Sequence, residues 1–165
     1  MKKKDFFVAT LLALFIVATL WFSGREPASP EERLSSVLSR ADGVIELGSL
    51  PLEQAIKQVR GNGSPVLVSF EDPICPYCAK LDKKLSRLEN LTLYTFLVPI
   101  LSENSLASAR RIWCAPNSAE AWNDWMLKHK LSATAAQCDT AAIDKNLALW
   151  NAMGFAGVPR LFRAK

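Results

Sequence analysis

Histidine is nearly absent: the 165 residues hold one, His129. The usual zinc hydrolases take two or three ligands from histidine, so that class is excluded. A basic stripe is also missing. The net charge is +4, and Lys2, Lys3, Lys4 and Asp5 supply +2 of it, so little remains along the chain that would indicate nucleic acid. Internal repeats and low-complexity tracts are lacking too. With 50% hydrophobic and 22% charged residues, long disorder and collagen-like structure are ruled out, and the length suits one domain of ordinary size.

Charge is absent over one stretch, the nineteen residues from Phe6 to Gly24. As a helix this run is roughly 28 Å long, about the hydrocarbon thickness of a bilayer. Three lysines precede it and Arg25 follows, so the positive-inside rule leaves the N-terminus in the cytoplasm and carries Glu26 onward across the membrane. Residues 1–24 are therefore read as a membrane anchor or uncleaved signal. A cleaved signal peptide is the alternative, but the run is long for one, and Trp21 and Phe22 stand where a small-x-small pair belongs. A buried core helix is the third option. No cysteine follows the run, which excludes a lipoprotein.

Residues 25–48 read as a linker with a short helix. Ser29-Pro30-Glu31-Glu32 is a helix start, with Ser29 as N-cap, Pro30 at N1 and Glu32 closing a capping box. Residues 49–165 read as one α/β domain. Leu52, Ala55, Ile56 and Val59 fall on one face of a helix over 51–60, ended by Gly61-Asn62-Gly63. Val66–Phe70 reads as a buried strand, Pro76–Glu89 as a helix and Leu91–Val98 as a second strand. That is a βαβ unit, with its parallel pair covered on both faces. A helical insert spans about 103–153, with helices over 105–113, 119–129 and 140–153. Ser118 and Asp139 are expected as N-caps and Gly154 as the residue after the last helix. Gly157-Val158-Pro159-Arg160-Leu161-Phe162 then starts a third strand.

The four cysteines carry the chemistry. Cys75-Pro76-Tyr77-Cys78 follows a buried strand and opens a helix, so Cys75 falls at the N-cap. Unpaired N–H groups and the positive dipole end there favour a thiolate, and Pro76 fits at N1. Cys78 lies one turn in, within disulfide reach but less exposed. One thiolate attacks a disulfide and the second thiol resolves the mixed disulfide, so this spacing supplies nucleophile and escape route. The same spacing occurs in zinc ribbons, but zinc needs a second close pair, and Cys114 and Cys138 are far apart in sequence. On the oxidising side of a membrane, pairing 75–78 with 114–138 is the natural arrangement, with buried free thiols at 114 and 138 as the alternative.

With these elements in place, the stretch from about Pro65 to Phe162 resembles the thioredoxin-fold domain of the DsbC/DsbG disulfide isomerases. Phe70-Glu71-Asp72-Pro73-Ile74-Cys75 is similar to that family's approach to the motif. Ile112-Trp113-Cys114-Ala115 and Cys138-Asp139 resemble its structural cysteines. The resemblance implies a cis bond at Val158-Pro159, packed against the active-site pair, with the backbone of Val158 aligning the substrate strand. Tyr77, between the cysteines, reads as an exposed residue that contacts substrate or else simply tunes the turn, and Pro76 is grouped with it among the candidate substrate-binding residues. The chain also departs from the family. An anchor and linker stand where the dimerisation domain is expected. Ser69 occupies the place of thioredoxin's buried acid, leaving Glu71 or solvent to assist Cys78. The fold's last strand and closing helix lack a counterpart after Phe162, so either the form is truncated or something else covers the sheet edge; an exposed edge is a hazard, and low stability is expected of the isolated domain.

Among the aromatic residues, Trp122, Trp125 and Met126 share a helix face that reads as core packing, with a peptide-binding surface as the alternative. Trp113 and Trp150 read as core, and His129 as a solvated helix end. The resulting expectation is a thiol:disulfide oxidoreductase or isomerase on the bacterial inner membrane. It is single-pass, with its catalytic domain in the periplasm or, after signal cleavage, soluble there. Its partners are exported cysteine-containing proteins and a membrane electron donor or acceptor, and no metal or organic cofactor is required. The alternative is a non-catalytic thioredoxin-like subunit of an envelope or conjugative secretion assembly.

Overall fold

The computed structural model describes residues 28–130, 133 and 138–165. The apolar segment 1–24 lies outside these residues. Among those described, no helix is long and apolar enough to cross a membrane.

Helix α1 (Pro30–Leu38) begins on the expected cap: the Glu32 N–H donates to Ser29 Oγ at 3.2 Å, and the Ser29 N–H to Glu32 Oε2 at 2.7 Å. It is docked on the domain, because Val37 is buried against Leu67, Leu81, Leu85 and Leu88. The stretch read as linker also supplies a strand, β1 (Gly43–Ile45). Two short 3₁₀ turns, Leu47–Ser49 and Leu52–Gln54, lead into β2 (Ile56–Arg60).

The helix expected over 51–60 is therefore a turn and a strand. Ile56 and Gln58 are buried while Lys57 and Val59 are exposed, a period of two, and β2 pairs antiparallel with β4 along its whole length. Four apolar residues at helical spacing fit either period over so short a run, and sheet pairing decides. Gly61 then turns the chain at φ +53°, where a Cβ would come within 2.7 Å of the Glu89 carbonyl.

The βαβ unit is present as expected, but its helix, expected over 76–89, ends at Leu85 with Ser86 as its C-cap. It comprises β3 (Val66–Glu71), α2 (Pro76–Leu85) and β4 (Leu91–Leu97), with the strands parallel from Val66↔Thr92 to Glu71↔Leu97. The insert holds α3 (Glu103–Trp113), α4 (Ser118–Lys128) and α5 (Ala141–Ala152). The caps sit one residue from the expected places: Asn117 caps α4, and Thr140 is the N-cap position of α5 while Asp139 Oδ1 accepts the Ala141 N–H. Gly154 follows α5 at φ +70°.

Strand β5 (Arg160–Ala164) runs antiparallel to β3, and the sheet order is β1-β5-β3-β4-β2. Of the two alternatives for the edge of β5, the structure shows cover by another element: β1 pairs with it in parallel from Gly43↔Phe162 to Ile45↔Ala164.

Alternation along the strands sorts the core. Leu67, Leu91, Leu93 and Leu161 face α1 and α2. Phe70, Phe96, Val98 and Phe162 face the opposite side, where Leu147, Trp150 and Met153 of α5 and its following turn cover them. Phe70 is the hub of that side, stacked on Phe96 at 5.0 Å and edge-on to Phe155 at 5.3 Å. Phe70→Ala should cost about 3–5 kcal/mol, as a fully buried aromatic truncation does. The loss will be read as a lowered urea midpoint of the reduced full-length chain, and an unchanged midpoint would contradict this packing.

Candidate functional site

The end of β3 and the start of α2 build the site. Cys75 is the N-cap of α2 with extended backbone, and Pro76 occupies N1. The Cys78 N–H donates to Cys75 Sγ at 3.4 Å, so one of the helix's orphan donors points at the sulfur. The Cys75 thiol in turn lies 3.7 Å from the Val158 carbonyl oxygen. The Val158-Pro159 bond is cis, and Val158 precedes the ladder of β5. The geometry thus brings Cys75, Cys78 and Val158 together, with Tyr77 67% exposed between the cysteines.

Asp72 holds this arrangement in place. Its Oδ1 accepts the Ile74 N–H at 2.9 Å, and its Oδ2 accepts the N–H groups of Ile100 and Leu101 at 2.9 and 3.0 Å. Its carbonyl accepts the Cys75 N–H at 3.1 Å. From α4, Trp125 Nε1 donates to the Pro73 carbonyl at 2.6 Å. In the sequence Asp72 is visible only as part of the approach to the motif, and Trp125 reads as core packing or a peptide-binding surface, not as a tie to this loop.

Both thiols are more enclosed than the spacing implies: Cys75 is 4% exposed and Cys78 fully buried, so little exposure separates them. The accessible surface around them is Tyr77, Ile74 and the proline. Beneath Cys78 lies a buried carboxyl pair. Glu71, the last residue of β3, and Asp82, one turn beyond Cys78 on α2, are both buried. Among the described residues both Glu71 oxygens and Asp82 Oδ2 are without a hydrogen-bond partner.

Burial, then the charge of Asp82, hold Glu71 well above the usual carboxylate range. Burial pushes Asp82 up to about 7, opposed by the Trp122 indole and the Arg60 guanidinium. Burial and then the Glu71 charge drive the Cys78 thiol upward as well. Ser69 is committed elsewhere, its Oγ donating to Thr95 Oγ1 at 3.1 Å. Of Glu71 and solvent, the two candidates to assist Cys78, Glu71 is in electrostatic reach of the buried thiol.

Cys114 and Cys138 are disulfide-bonded. They join the end of α3 to the segment before α5, where the Trp113 indole also donates to the Asp139 carbonyl at 3.1 Å. Closing a loop of this length contributes about 3.5 kcal/mol in the chain-entropy model. Trp122 and Met126 are core residues. Trp125 is half-buried through its bond to Pro73, which leaves that helix face as packing surface. His129 is exposed at the end of α4 in a left-handed conformation.

A mixed sheet with helices on both faces and a Cys-x-x-Cys pair at a strand-to-helix junction defines a thioredoxin-like protein. The family described as "Thioredoxin-like domain" matches residues 52–165, and the chain belongs to that family. Among curated proteins it is similar to the "Probable thiol:disulfide interchange protein DsbC" of Bordetella pertussis. The two are 44% identical over 132 residues, which is 80% of this chain and 44% of that protein. The chain thus spans less than half the length of the curated relatives it matches. The crystal structure of a disulfide interchange protein from Neisseria gonorrhoeae is 37% identical. It superposes with a TM-score of 0.64 over 68% of this chain and 81% of that one. A variant of Proteus mirabilis ScsC, 18% identical with a TM-score of 0.55 over 99% of this chain and 86% of that one, shares the fold.

The carboxyl pair makes stability depend on pH. Both groups bind protons more tightly folded than unfolded, so their contribution is fully present below about pH 4. It is lost as the pH rises through the folded value of about 7 for Asp82. Urea midpoints of the wild type should therefore fall between pH 4 and 8. The Glu71→Gln/Asp82→Asn double variant should flatten that slope, and an unaltered slope rules out the pair as its source.

Proposed function

We propose that this chain is a thiol:disulfide oxidoreductase or isomerase that acts on disulfides of exported proteins. The observation that carries the reading is Cys75 at the tip of α2, its sulfur between the Cys78 N–H and the Val158 carbonyl. The relatives named as interchange proteins support it.

In this reading the Cys75 thiolate attacks one sulfur of a substrate disulfide. A new S–S bond forms, the substrate bond breaks, and the departing thiolate takes a proton. The substrate strand lies along Val158-Pro159, over Tyr77 and Pro76. Cys78 then resolves the mixed disulfide. Its proton passes to the Glu71–Asp82 pair, its sulfur bonds to that of Cys75, and the second substrate thiol leaves. Two electrons have then moved from the cysteine pair to the substrate. A dithiol or membrane electron donor returns them, or the reverse sequence oxidises a substrate. If the substrate thiolate attacks before Cys78 does, the bond is shuffled without net redox change. No metal or organic cofactor enters these steps.

The uncharged run from Phe6 to Gly24 supports a single-pass anchor in a bacterial inner membrane with this domain on the periplasmic side; removal of the run as a signal gives a soluble periplasmic protein. Either way the domain meets oxidising conditions, which suits the Cys114–Cys138 bridge.

The test is dithiothreitol-driven insulin reduction and refolding of scrambled ribonuclease. Cys75→Ala should fall to the uncatalysed rate in both. Cys78→Ala should accumulate a mixed disulfide visible on a non-reducing gel. A Cys75→Ala protein as active as the wild type ends the reading.

A further inference from the structure

The near balance of charge along the chain conceals a local excess beside the sulfur. From Pro76 to Leu88 every charged side chain that reaches solvent is positive, namely Lys80, Lys83, Lys84 and Arg87, while Asp82 is buried. On the side of α2 toward the cis proline a groove of about 300 Å³ opens, and Arg40, Lys80 and Lys84 line it together with Tyr77 and Val158-Pro159. Its floor is apolar, formed by the buried Leu81 and Leu161. The carboxylate within the groove, Asp42, is already engaged. Its Oδ2 accepts the Leu161 N–H at 2.9 Å and lies 3.4 Å from Arg160 Nε. Arg40, Lys80 and Lys84 form no ion pair among the described residues. Lys80 Nζ stands 5.1 Å from the centre of the Tyr77 ring, which brings its ammonium beside the residue between the cysteines.

Three cations around one concavity repel one another unless an anion enters. The concavity is continuous with the backbone at Val158, whose carbonyl lies at the Cys75 sulfur. A strand advances about 3.3 Å per residue, so a chain paired there reaches the cations within a few residues of its reactive sulfur. We propose that this groove selects polypeptide substrates with acidic residues flanking the cysteine to be exchanged. A substrate carboxylate sits among Arg40, Lys80 and Lys84 while the disulfide faces Cys75. This deepens the proposed function and rests on Cys75 being the nucleophile. An anionic bilayer is the other polyanion such cations could meet. The concave shape, the apolar floor and the continuity with Val158-Pro159 favour a peptide.

The test uses three peptides differing only in the residues around one cysteine, Glu, Gln or Lys, with that cysteine blocked as a mixed disulfide with nitrothiobenzoate. Attack by Cys75 on the peptide sulfur forms the Cys75–peptide bond and expels the coloured nitrothiobenzoate thiolate with the electron pair. The reduced full-length chain in neutral detergent should react about tenfold faster with the Glu peptide than with the Lys peptide at low salt. The ratio should approach one at about 1 M salt. In Lys80→Glu/Lys84→Glu the ratio should invert, and in Arg40→Ala it should shrink.

A wild-type ratio near one at low salt overturns the proposal, as does a ratio that charge reversal leaves unchanged. If reversal instead abolishes co-sedimentation with phosphatidylglycerol vesicles while sparing the peptide ratio, the cations serve the bilayer and the proposal fails. Failure of the wild type to react even with the Gln peptide overturns the redox reading itself, an outcome distinct from reaction without charge preference.

Discussion

The carboxylate of Asp72 is the constraint on which the site depends. It sits where β3 has ended and α2 has not begun, a place where backbone groups lose their ladder partners. By accepting three N–H groups, one from its own turn and two from the segment after β4, it welds two loops that the sheet brings side by side. Buried donors left without partners are costly, so this one side chain fixes the path by which the chain enters Cys75. Trp125 adds a second tie from α4 to the same loop. The placement of the sulfur at the helix tip follows from these bonds as much as from the motif.

Around that fixed point, low dielectric does most of the chemical tuning. Cys78, Glu71 and Asp82 occupy one water-excluded region in which each negative charge disfavours the next. Glu71 and Asp82 are both held above the usual carboxylate range, beside a thiol that burial pushes the same way. The outer sulfur answers to a different environment, a backbone N–H on one side and a carbonyl on the other. Two cysteines three residues apart thus have different surroundings.

Local chemistry was the legible part of the sequence. The Ser29 cap, the βαβ unit, Pro76 at N1 and the cysteine at the helix tip each depend on neighbours within a few positions, so spacing reveals them. The elements that escaped depend on distant partners. Residues 56–60 satisfy a helical pattern as well as a strand pattern, and only pairing with β4 separates the two. β1 has three residues and begins with a glycine, too short a run to signal a strand before β5 is in place beside it. Asp72 reads as one acid among many, because its acceptors' partners lie some 28 residues away in the chain. The meeting of Glu71 with Asp82, and of Arg40 with Lys80 and Lys84, likewise arises from folding and leaves no trace in composition or net charge.

The pairing of β1 with β5 has a practical corollary for anyone dividing the chain. The change from polar to apolar pattern near residue 49 looks like the start of the domain, yet a fragment cut there surrenders β1 and the helix that carries Val37. The strand bearing the proline loop becomes an unprotected border, and the leucines of β3 and α2 lose their cover. Among the described residues the folded unit therefore includes the Ser29 cap and the helix behind it, well before the change of pattern that suggests a boundary.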